Sequence, residues 1–257
     1  MNQLENDSRF AAEVDRYYAG VTQCAERDCG LGGKLLWAGE LDAQGRALAV
    51  AANVAGAATL AATADAGAQR QANREGVVDF VVTSLDEALR ILKNEVRKRE
   101  TVAVCVALAP EAVASEMVER GVLPDLLRDD FSGPEDAWFL SRGARKVDAV
   151  EPSVGETVLA WRVESAPMVW LPRIDALAME CMNADAWAAR RWLRLAPRYM
   201  GRLAQGFRLL RCESECAAKF IAGLQERVES GEIAVAVELQ SLAPPAASMR
   251  LQSSLTP

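Results

Sequence analysis

Apolar residues follow two alternating patterns along the first 145 positions, short continuous runs and stretches with helical spacing. The continuous runs have the length of strands that are buried on both faces of a sheet. The stretches between them repeat their apolar positions every three or four residues, which is typical of helices that cover a sheet. The alternation predicts an α/β fold, an open parallel sheet with helices on both faces. Predicted strands are 34–38, 57–64, 77–82, 101–108 and 126–127, and predicted helices are 8–29, 43–55, 84–99 and 110–121.

The pattern changes after about residue 145. A strand is predicted at 157–163 and another at 233–239, with a mostly helical, arginine-rich region between them from 173 to 229. The Pro- and Ser-rich tail from Ala243 is expected to be frayed. We therefore expect an N-terminal helix at 1–32, an α/β domain at 33–145, and a mainly helical C-terminal lobe at 146–257 with one or two strands.

Composition and charge restrict the class of protein. The formal net charge of −7 argues against nucleic acid or an anionic membrane as a partner. No apolar run reaches transmembrane length, and the polar start at 1–7 does not resemble a signal peptide, so we expect a cytoplasmic protein.

The absence of histidine restricts the chemistry further. Without histidine, Ser-His-Asp and Cys-His catalysis are excluded, and proton transfer would have to use carboxylate, lysine, tyrosine, cysteine or water. The six cysteines contain no CxxC pair, so we expect buried thiols rather than a metal or redox site. We predict no catalytic residue and no metal ligand.

The turn at Gly39 to Arg46 links the first predicted strand to its helix, which is the place of the phosphate-binding turn in a dinucleotide-binding βαβ unit. Such a turn needs glycines, because backbone must approach the pyrophosphate at the helix N-terminus. The side chains of Glu40 and Asp42 obstruct that approach, and their charges repel the pyrophosphate. Two like charges about 4 Å apart cost roughly 4 kcal/mol at an effective dielectric near 20. Arg46 offsets part of that repulsion if it turns toward the anion.

Asp65 is the acidic residue at the end of the second predicted strand, 20 positions after Gly45. An acid at this place binds the ribose hydroxyls in dinucleotide-binding folds. An acid that caps the following turn would show the same pattern, and both interpretations stay open. The candidate cofactor-binding residues are therefore Gly39, Gly45, Arg46 and Asp65.

Short motifs in one order and spacing connect these elements to a known family. They are Gly33-Lys34-Leu35, residues 51–52 and 55–56, Asp65, Gly76, residues 78–79, residues 85–89, residues 120–122 and residues 124–125. From Gly33 to about Ser132 the chain resembles the central Rossmann-like domain of urocanase (urocanate hydratase), and it looks like a short, divergent member.

The resemblance implies an NAD-binding fold in which the cofactor acts as an electrophile on the imidazole ring of urocanate. The family's glycine-rich turn, Gly-Leu-Gly-Gly-Met-Gly-Gly, falls on residues 40–46, where only Leu41 and Gly45 match. Its second signature, Asp-Gln-Thr-Ser-Ala-His-Asp, falls on residues 129–135, where Asp129 and Ser132 match and Pro134 replaces the histidine. The long catalytic C-terminal region of the family has no counterpart in this sequence.

Three functions follow from this resemblance and its gaps. The first is a urocanase-like protein that has lost hydratase activity and acts in binding or assembly, with no bound cofactor. The second is a divergent hydratase or lyase that uses Asp42, Asp129 or Asp130 on a urocanate-like small molecule, with NAD as the cofactor that the resemblance allows. The third binds NAD, a smaller nucleotide or another small anion through Asp65 and Arg46. The arginine-rich helices and tryptophans of the C-terminal half also predict a homodimer interface.

Overall fold

The structure, a computed structural model, describes residues 3–130, 133–242 and 247–252, and side chains from residue 8 onward within these ranges except at 247 and 248. The chain divides into two compact units, residues 13–150 and residues 1–12 with 151–257. Each unit has its own sheet.

The first unit contains a six-stranded parallel sheet in the order β3-β4-β2-β1-β5-β6. Its central strands come from the continuous apolar runs, and both β2 and β4 are buried at every position. The α/β, Rossmann-like fold expected from the sequence is confirmed. The strands are β1 (Leu35–Glu40), β2 (Ala58–Ala62), β3 (Phe80–Val82), β4 (Val102–Val106), β5 (Leu126–Arg128) and β6 (Arg145–Val147).

Helices flank this sheet, and two of them show clearly how the sequence specifies their ends. Ser84 accepts a hydrogen bond from the Glu87 amide and begins α4, as its capping-box sequence predicts. The alanine-rich α2 is buried along almost its whole length and ends at Gly56, whose φ of 100° is left-handed. The helices are α1 (Gln3–Thr22), α2 (Ala43–Ala55), α3 (Ala66–Arg74), α4 (Leu85–Lys98), α5 (Pro110–Glu119) and α6 (Pro134–Ser141).

Several predicted boundaries in this unit are corrected by local hydrogen bonding. Helix α1 ends at Thr22 instead of 29, because residues 23–25 continue only as single turns and Glu26 pairs with Gly30 in an isolated bridge. Strand β3 begins at Phe80 instead of 77, because the Val77 and Val78 amides bond back to Ala72 at the end of α3. Helices α3 and α6 and strand β6 were not predicted from the sequence.

The second unit contains a four-stranded antiparallel sheet in the order β10-β9-β7-β8. Strand β7 lies between β8 and β9, and it pairs with β8 over residues 156–162 and with β9 over residues 159–163. The strands are β7 (Glu156–Val163), β8 (Phe207–Glu213), β9 (Val237–Ser241) and β10 (Ala247–Leu251). The helices are α7 (Pro167–Cys181), α8 (Trp187–Tyr199) and α9 (Ser214–Glu229), with a 3₁₀ turn at Gly201–Gln205.

This unit differs from the mainly helical lobe with one or two strands that the sequence predicts. The predicted helical region contains β8, whose residues Phe207 and Leu209 are buried and alternate with partly exposed arginine. Leu210 is also buried, so the apolar positions do not alternate regularly, and it is the full-length pairing with β7 that makes this segment a strand. The predicted frayed tail is also partly wrong, because 247–251 form β10, while 243–246 and 253–257 lie outside the described residues.

Polar side chains hold this second core at two points. The Trp192 indole N–H donates to the Leu209 carbonyl oxygen at 2.5 Å, and Arg208 Nε donates to Asp175 at 2.9 Å. Burial raises the pKa of Asp175 to about 6, although the charge of Arg208 opposes the shift. Arg190 of α8 donates to the carbonyl oxygens of Met179, Met182 and Asn183 at the end of α7. All six cysteines are free thiols, and three of them are buried.

Candidate functional site

The candidate site lies at the carboxyl ends of β1 and β5. Helix α2 leads from β1 to β2 on one side, while α5 leads from β4 to β5 on the other side of β1. The chain therefore changes direction between β1 and β5, and ligands of open α/β sheets bind in the crevice outside such a switch point. The residues that follow these two strands are the predicted turn and the Asp129–Asp130 pair.

The turn at the start of α2 satisfies its own amides with carboxylates. Asp42 is the N-cap and accepts a hydrogen bond from the Gly45 amide at 2.7 Å. The Glu40 carboxylate accepts from the Leu41 amide at 3.1 Å. Two amides that would face a phosphate in a dinucleotide-binding turn are thus bonded to side chains of the turn itself.

Arg128, the last residue of β5, neutralises this turn. Its guanidinium donates to Asp42 at 2.8 Å, to the Glu40 carbonyl oxygen at 3.3 Å and to Asp130 at 2.6 Å. Only 6% of its side chain is exposed. Burial alone would lower the pKa of Arg128, but the hydrogen bond with Asp130 and the charge of Asp42 outweigh it and raise that pKa. The guanidinium is therefore charged and occupies the space beside the first turn of α2.

Tyr17 on α1 adds a second buried group to this cluster. Burial raises the pKa of Tyr17 to about 12, and the carboxylates Glu13, Asp130 and Asp42 add to the shift while Arg128 opposes it. The phenol is neutral at physiological pH. Neither Tyr17 nor Arg128 was identified from the sequence, although an arginine directly before Asp129-Asp130 at a strand end was a usable signal.

Gly45 and Gly39 are needed by the local backbone. A Cβ at Gly45 would fall well inside the contact distance of the Glu40 carbonyl oxygen, and 3.1 Å from the Arg128 guanidinium. This glycine therefore lets α2 pack closely on β1. Close packing of helix on strand is one of the roles of glycine in a dinucleotide-binding turn. Gly39 has a left-handed φ of 67° and lies at an irregularity of the β1–β2 pairing.

Arg46 and Asp65 are not brought to the turn together. The Arg46 guanidinium forms an ion pair with Glu75, at the end of α3. Asp65 is the N-cap of α3 and accepts a hydrogen bond from the Gly67 amide at 2.6 Å. The two groups are thus engaged at opposite ends of a nine-residue helix, about 13 Å apart along its axis.

The residues of the second predicted signature, 129–135, likewise have separate partners. Asp130 binds Arg128, whereas the Asp129 carboxylate is half-exposed and lies 3.9 Å from Lys146. Pro134, in the place of the family histidine, is the first residue of α6. Ser132 lies outside the described residues.

A cleft of about 270 Å³ opens beside this cluster. Its lining is Trp37, Pro110, Glu111, Ala114, Asp130, Gly133, Glu135 and Asp136. Ser115 donates to Glu135 at 2.9 Å, and Asp136 accepts from the Gly133 amide at 2.7 Å. Burial raises the pKa of Asp136, against the lowering effect of its hydrogen bond from Gly133. The cleft was not predicted from the sequence, since it depends on α6.

Two further observations concern metals and membranes. Among the described residues, no group of three or more cysteine, aspartate or glutamate side chains is arranged to hold a metal ion. Of the helices described, none combines the length and the hydropathy that crossing a bilayer requires.

The comparison with protein families agrees with this architecture. Residues 17–137 match the family model described as the urocanase Rossmann-like domain. The matched segment begins within α1, contains β1 to β5 and ends within α6, so it contains both the α2 turn and the cleft. Over residues 17–137, which are 121 of its 257 residues, the chain is therefore similar to the Rossmann-like domain of the urocanase family.

Proposed function

We propose that this protein is a urocanase-like Rossmann-domain protein without hydratase activity, and that it acts in binding or assembly. The observation that carries the proposal is the α2 turn, in which Asp42 and Arg128 form an internal ion pair where a dinucleotide pyrophosphate would need backbone amides. An incoming pyrophosphate would have to displace Asp42 from both the Gly45 amide and Arg128.

Charge adds to this obstacle. The turn holds two carboxylates, Glu40 and Asp42, and the only buried cation beside it among the described residues, Arg128, is already paired. A tenfold loss of affinity corresponds to about 1.4 kcal/mol, so repulsion of a few kcal/mol removes two or more decades of NAD affinity.

The test combines an activity assay with a binding measurement. Purified protein is incubated with urocanate and NAD, and the loss of urocanate absorbance is followed. We expect no loss above the protein-free control, and calorimetry with millimolar NAD should give no saturable heat. Hydration of urocanate that depends on this protein would refute the proposal.

A matched variant makes the binding result more informative. Asp42→Asn keeps the cap acceptor and removes the charge, so it tests the ionic part of the obstacle alone. If wild type binds NAD and Asp42→Asn does not change its affinity, the α2 turn is not the reason for any loss of activity.

The cleft supports a second candidate function, a divergent hydratase or lyase for a urocanate-like small molecule. Two of its carboxyl groups, Asp130 and Asp136, lie in different surroundings, one bound to Arg128 and one with a pKa raised by burial. Such a difference suits acid and base roles. Turnover of any substrate that is lost in both Asp130→Asn and Asp136→Asn, while Glu119→Gln retains it, would favour this candidate.

Nucleotide binding through Asp65 and Arg46 is a weaker proposal, because each of these side chains already has a partner at its own end of α3.

A homodimer built on the arginine-rich α8 also stays a prediction. Sedimentation equilibrium at tens of micromolar tests it, and a purely monomeric result would contradict it.

A further inference from the structure

Helix α8 carries arginines on its exposed face that have no acidic partner. Residues 186–212 contain seven arginines and no aspartate or glutamate. Arg194 and Arg198 of α8 are exposed, as is Arg202 in the 3₁₀ turn that follows. In the part of the chain that the structure describes, none of these three side chains forms an ion pair. The region is therefore a local concentration of positive charge on a chain whose net charge is −7.

The stability of α8 does not explain this charge. Arg194 and Arg198 lie four residues apart, and like charges at this spacing repel each other across one turn of a helix. Helix α4 shows the alternative, since it mixes both signs, with Asp86, Glu87 and Glu95 among its arginines and lysines. The single sign of α8 therefore costs helix stability, and an anionic partner would replace that repulsion with attraction.

The opposite face of α8 fixes the helix in the second unit. Trp192, Leu193 and Ala196 are buried, and the Trp192 indole N–H donates to the Leu209 carbonyl oxygen of β8 at 2.5 Å. Because the inner face is held by core packing, the arginines of the outer face keep helical spacing, which is about 6 Å along the axis for four residues. The positive groups thus extend from a short, straight and rigid backbone.

Partly exposed apolar side chains border the arginines. Leu195 and Tyr199 follow Arg194 and Arg198 in the helix, and the Arg198 guanidinium lies 5.4 Å from the centre of the Tyr199 ring. Trp187, at the start of α8, is also partly exposed. Arginine, tyrosine and tryptophan are the residue types that contribute most to binding at protein–protein interfaces. The composition of this face therefore favours a protein partner over a small anion.

The size of the face and the charge of the rest of the chain limit the partner further. Helix α8 has 13 residues and is about 20 Å long. Outside residues 186–212 the chain carries a net charge of −14. Charges interact over about 8 Å at physiological salt, so a nucleic acid or a membrane that extends beyond α8 also meets the acidic surface. A short acidic segment meets only the arginines.

A second copy of the chain fits this face less well than another protein does. A two-fold contact through α8 places the arginines of one copy against those of the other, since such an interface uses the same surface twice. No acid within residues 186–212 relieves that repulsion. A helix of another protein can carry glutamates three and four residues apart, and its carboxylates then recur at the spacing of the arginines.

We propose that the exposed face of α8 binds an acidic helix of a partner protein. Carboxylates of that helix pair with Arg194 and Arg198, and its apolar side chains contact Leu195 and Tyr199. The proposal rests on the proposed binding or assembly role and gives that role a surface and a class of partner. The surface belongs to the second unit, outside the segment 17–137 that matches the urocanase family.

The test uses two synthetic helical peptides as probes. The first has the length of α8, with glutamates and leucines spaced three and four residues apart, and the second has glutamine in place of every glutamate. Fluorescence anisotropy with the full chain at low salt should show saturable binding of the glutamate peptide, about tenfold tighter than that of the glutamine peptide. Added salt should reduce this difference.

Variants assign the binding to α8. The double substitution Arg194→Gln and Arg198→Gln should weaken the glutamate peptide about five- to tenfold and leave the glutamine peptide unchanged. Arg194→Lys with Arg198→Lys keeps both charges and should retain most of the affinity. The matched control, Arg90→Gln with Arg97→Gln, removes two exposed charges from α4 and should bind both peptides as wild type does. Circular dichroism checks that each variant is folded.

Several results overturn the inference. They are no saturable binding of the glutamate peptide, equal affinity of wild type and the α8 glutamine variant, or the same loss in the α4 control. A single-stranded oligonucleotide that binds α8 more tightly than the peptide would assign this face to nucleic acid instead. Self-association of wild type that the α8 glutamine variant lacks would assign it to a second copy. The urocanate and NAD measurements do not involve α8, so they decide the proposed loss of hydratase activity separately.

Discussion

The α2 turn and the cleft lie at the same end of the same sheet, yet the charges of their carboxylates have opposite effects on stability. In the turn, Asp42 has both a backbone amide and the buried Arg128 as partners, so its charge stabilises the fold. In the cleft, Asp136 is buried with a raised pKa, so its charge costs stability. A carboxylate paired with both an amide and a cation indicates a structural role, whereas one whose pKa is raised by burial at the side of a cleft is a candidate for a functional role.

The largest expected effect comes from removing Arg128. Arg128→Leu leaves Asp42 and Asp130 facing each other without a cation, and we expect a loss of about 2–4 kcal/mol in unfolding free energy. The partners are half-exposed, which keeps the loss below that of a fully buried pair. Urea denaturation measures it, with Arg90→Leu on the exposed face of α4 as a control expected within about 0.5 kcal/mol of wild type. Equal stability of both variants would show that the turn does not depend on this ion pair.

The next effect concerns the close packing of α2 on β1. Gly45→Ala places a methyl group against the Glu40 carbonyl oxygen, so we expect a loss of about 1–3 kcal/mol even though alanine favours helix. At Gly67, in the first turn of α3, a Cβ would meet only the Asp65 side chain at 3.0 Å. Gly67→Ala should therefore change thermal stability much less. A Gly45→Ala protein as stable as wild type would remove the packing role of this glycine.

A comparison of two helix caps measures the contribution of the ion pair to stability, and the expected losses are smaller. Asp42 and Asp65 each cap a helix, but only Asp42 also binds a buried arginine. We expect Asp65→Ala to cost about 1 kcal/mol and Asp42→Ala about 2 kcal/mol in chemical denaturation. Equal losses would mean that Arg128 adds nothing to the cap.

The smallest expected effect is a gain in stability, and it comes from a substitution in the cleft. Because the folded-state pKa of Asp136 is raised, its contribution to stability is present at acid pH, below its unfolded value, and is lost as pH rises through the folded value. Asp136→Asn removes that loss and keeps an acceptor for the Gly133 amide. It should unfold at a slightly higher temperature than wild type at pH 7, with the difference vanishing near pH 3, and Glu119→Gln should show no such trend. If Asp136→Asn is less stable than wild type at pH 7, Asp136 has a structural role, as Asp42 does.

The fold of the first unit was predictable because its signals are local. The apolar run 101–108 and the cap at Ser84 specify β4 and α4 through burial and one hydrogen bond. Strand β8 was not predictable, because its apolar positions do not alternate regularly and it lies between helices, so that only pairing with β7 makes it a strand. Glycine at position 45 was recognised, but its partner across the turn, Arg128, is 83 positions away in the sequence.

The sequence by itself determined that the turn after β1 is acidic where a dinucleotide needs glycine, and that no histidine can act in catalysis. Those conclusions depend on residue types at known positions in a local pattern. Only the tertiary structure decided that Arg128 closes the turn and that Trp37 and Asp136 line an open cleft beside it. These contacts join β1, β5, α5 and α6, and side chains so far apart in the chain meet only when the sheet brings its strand ends together.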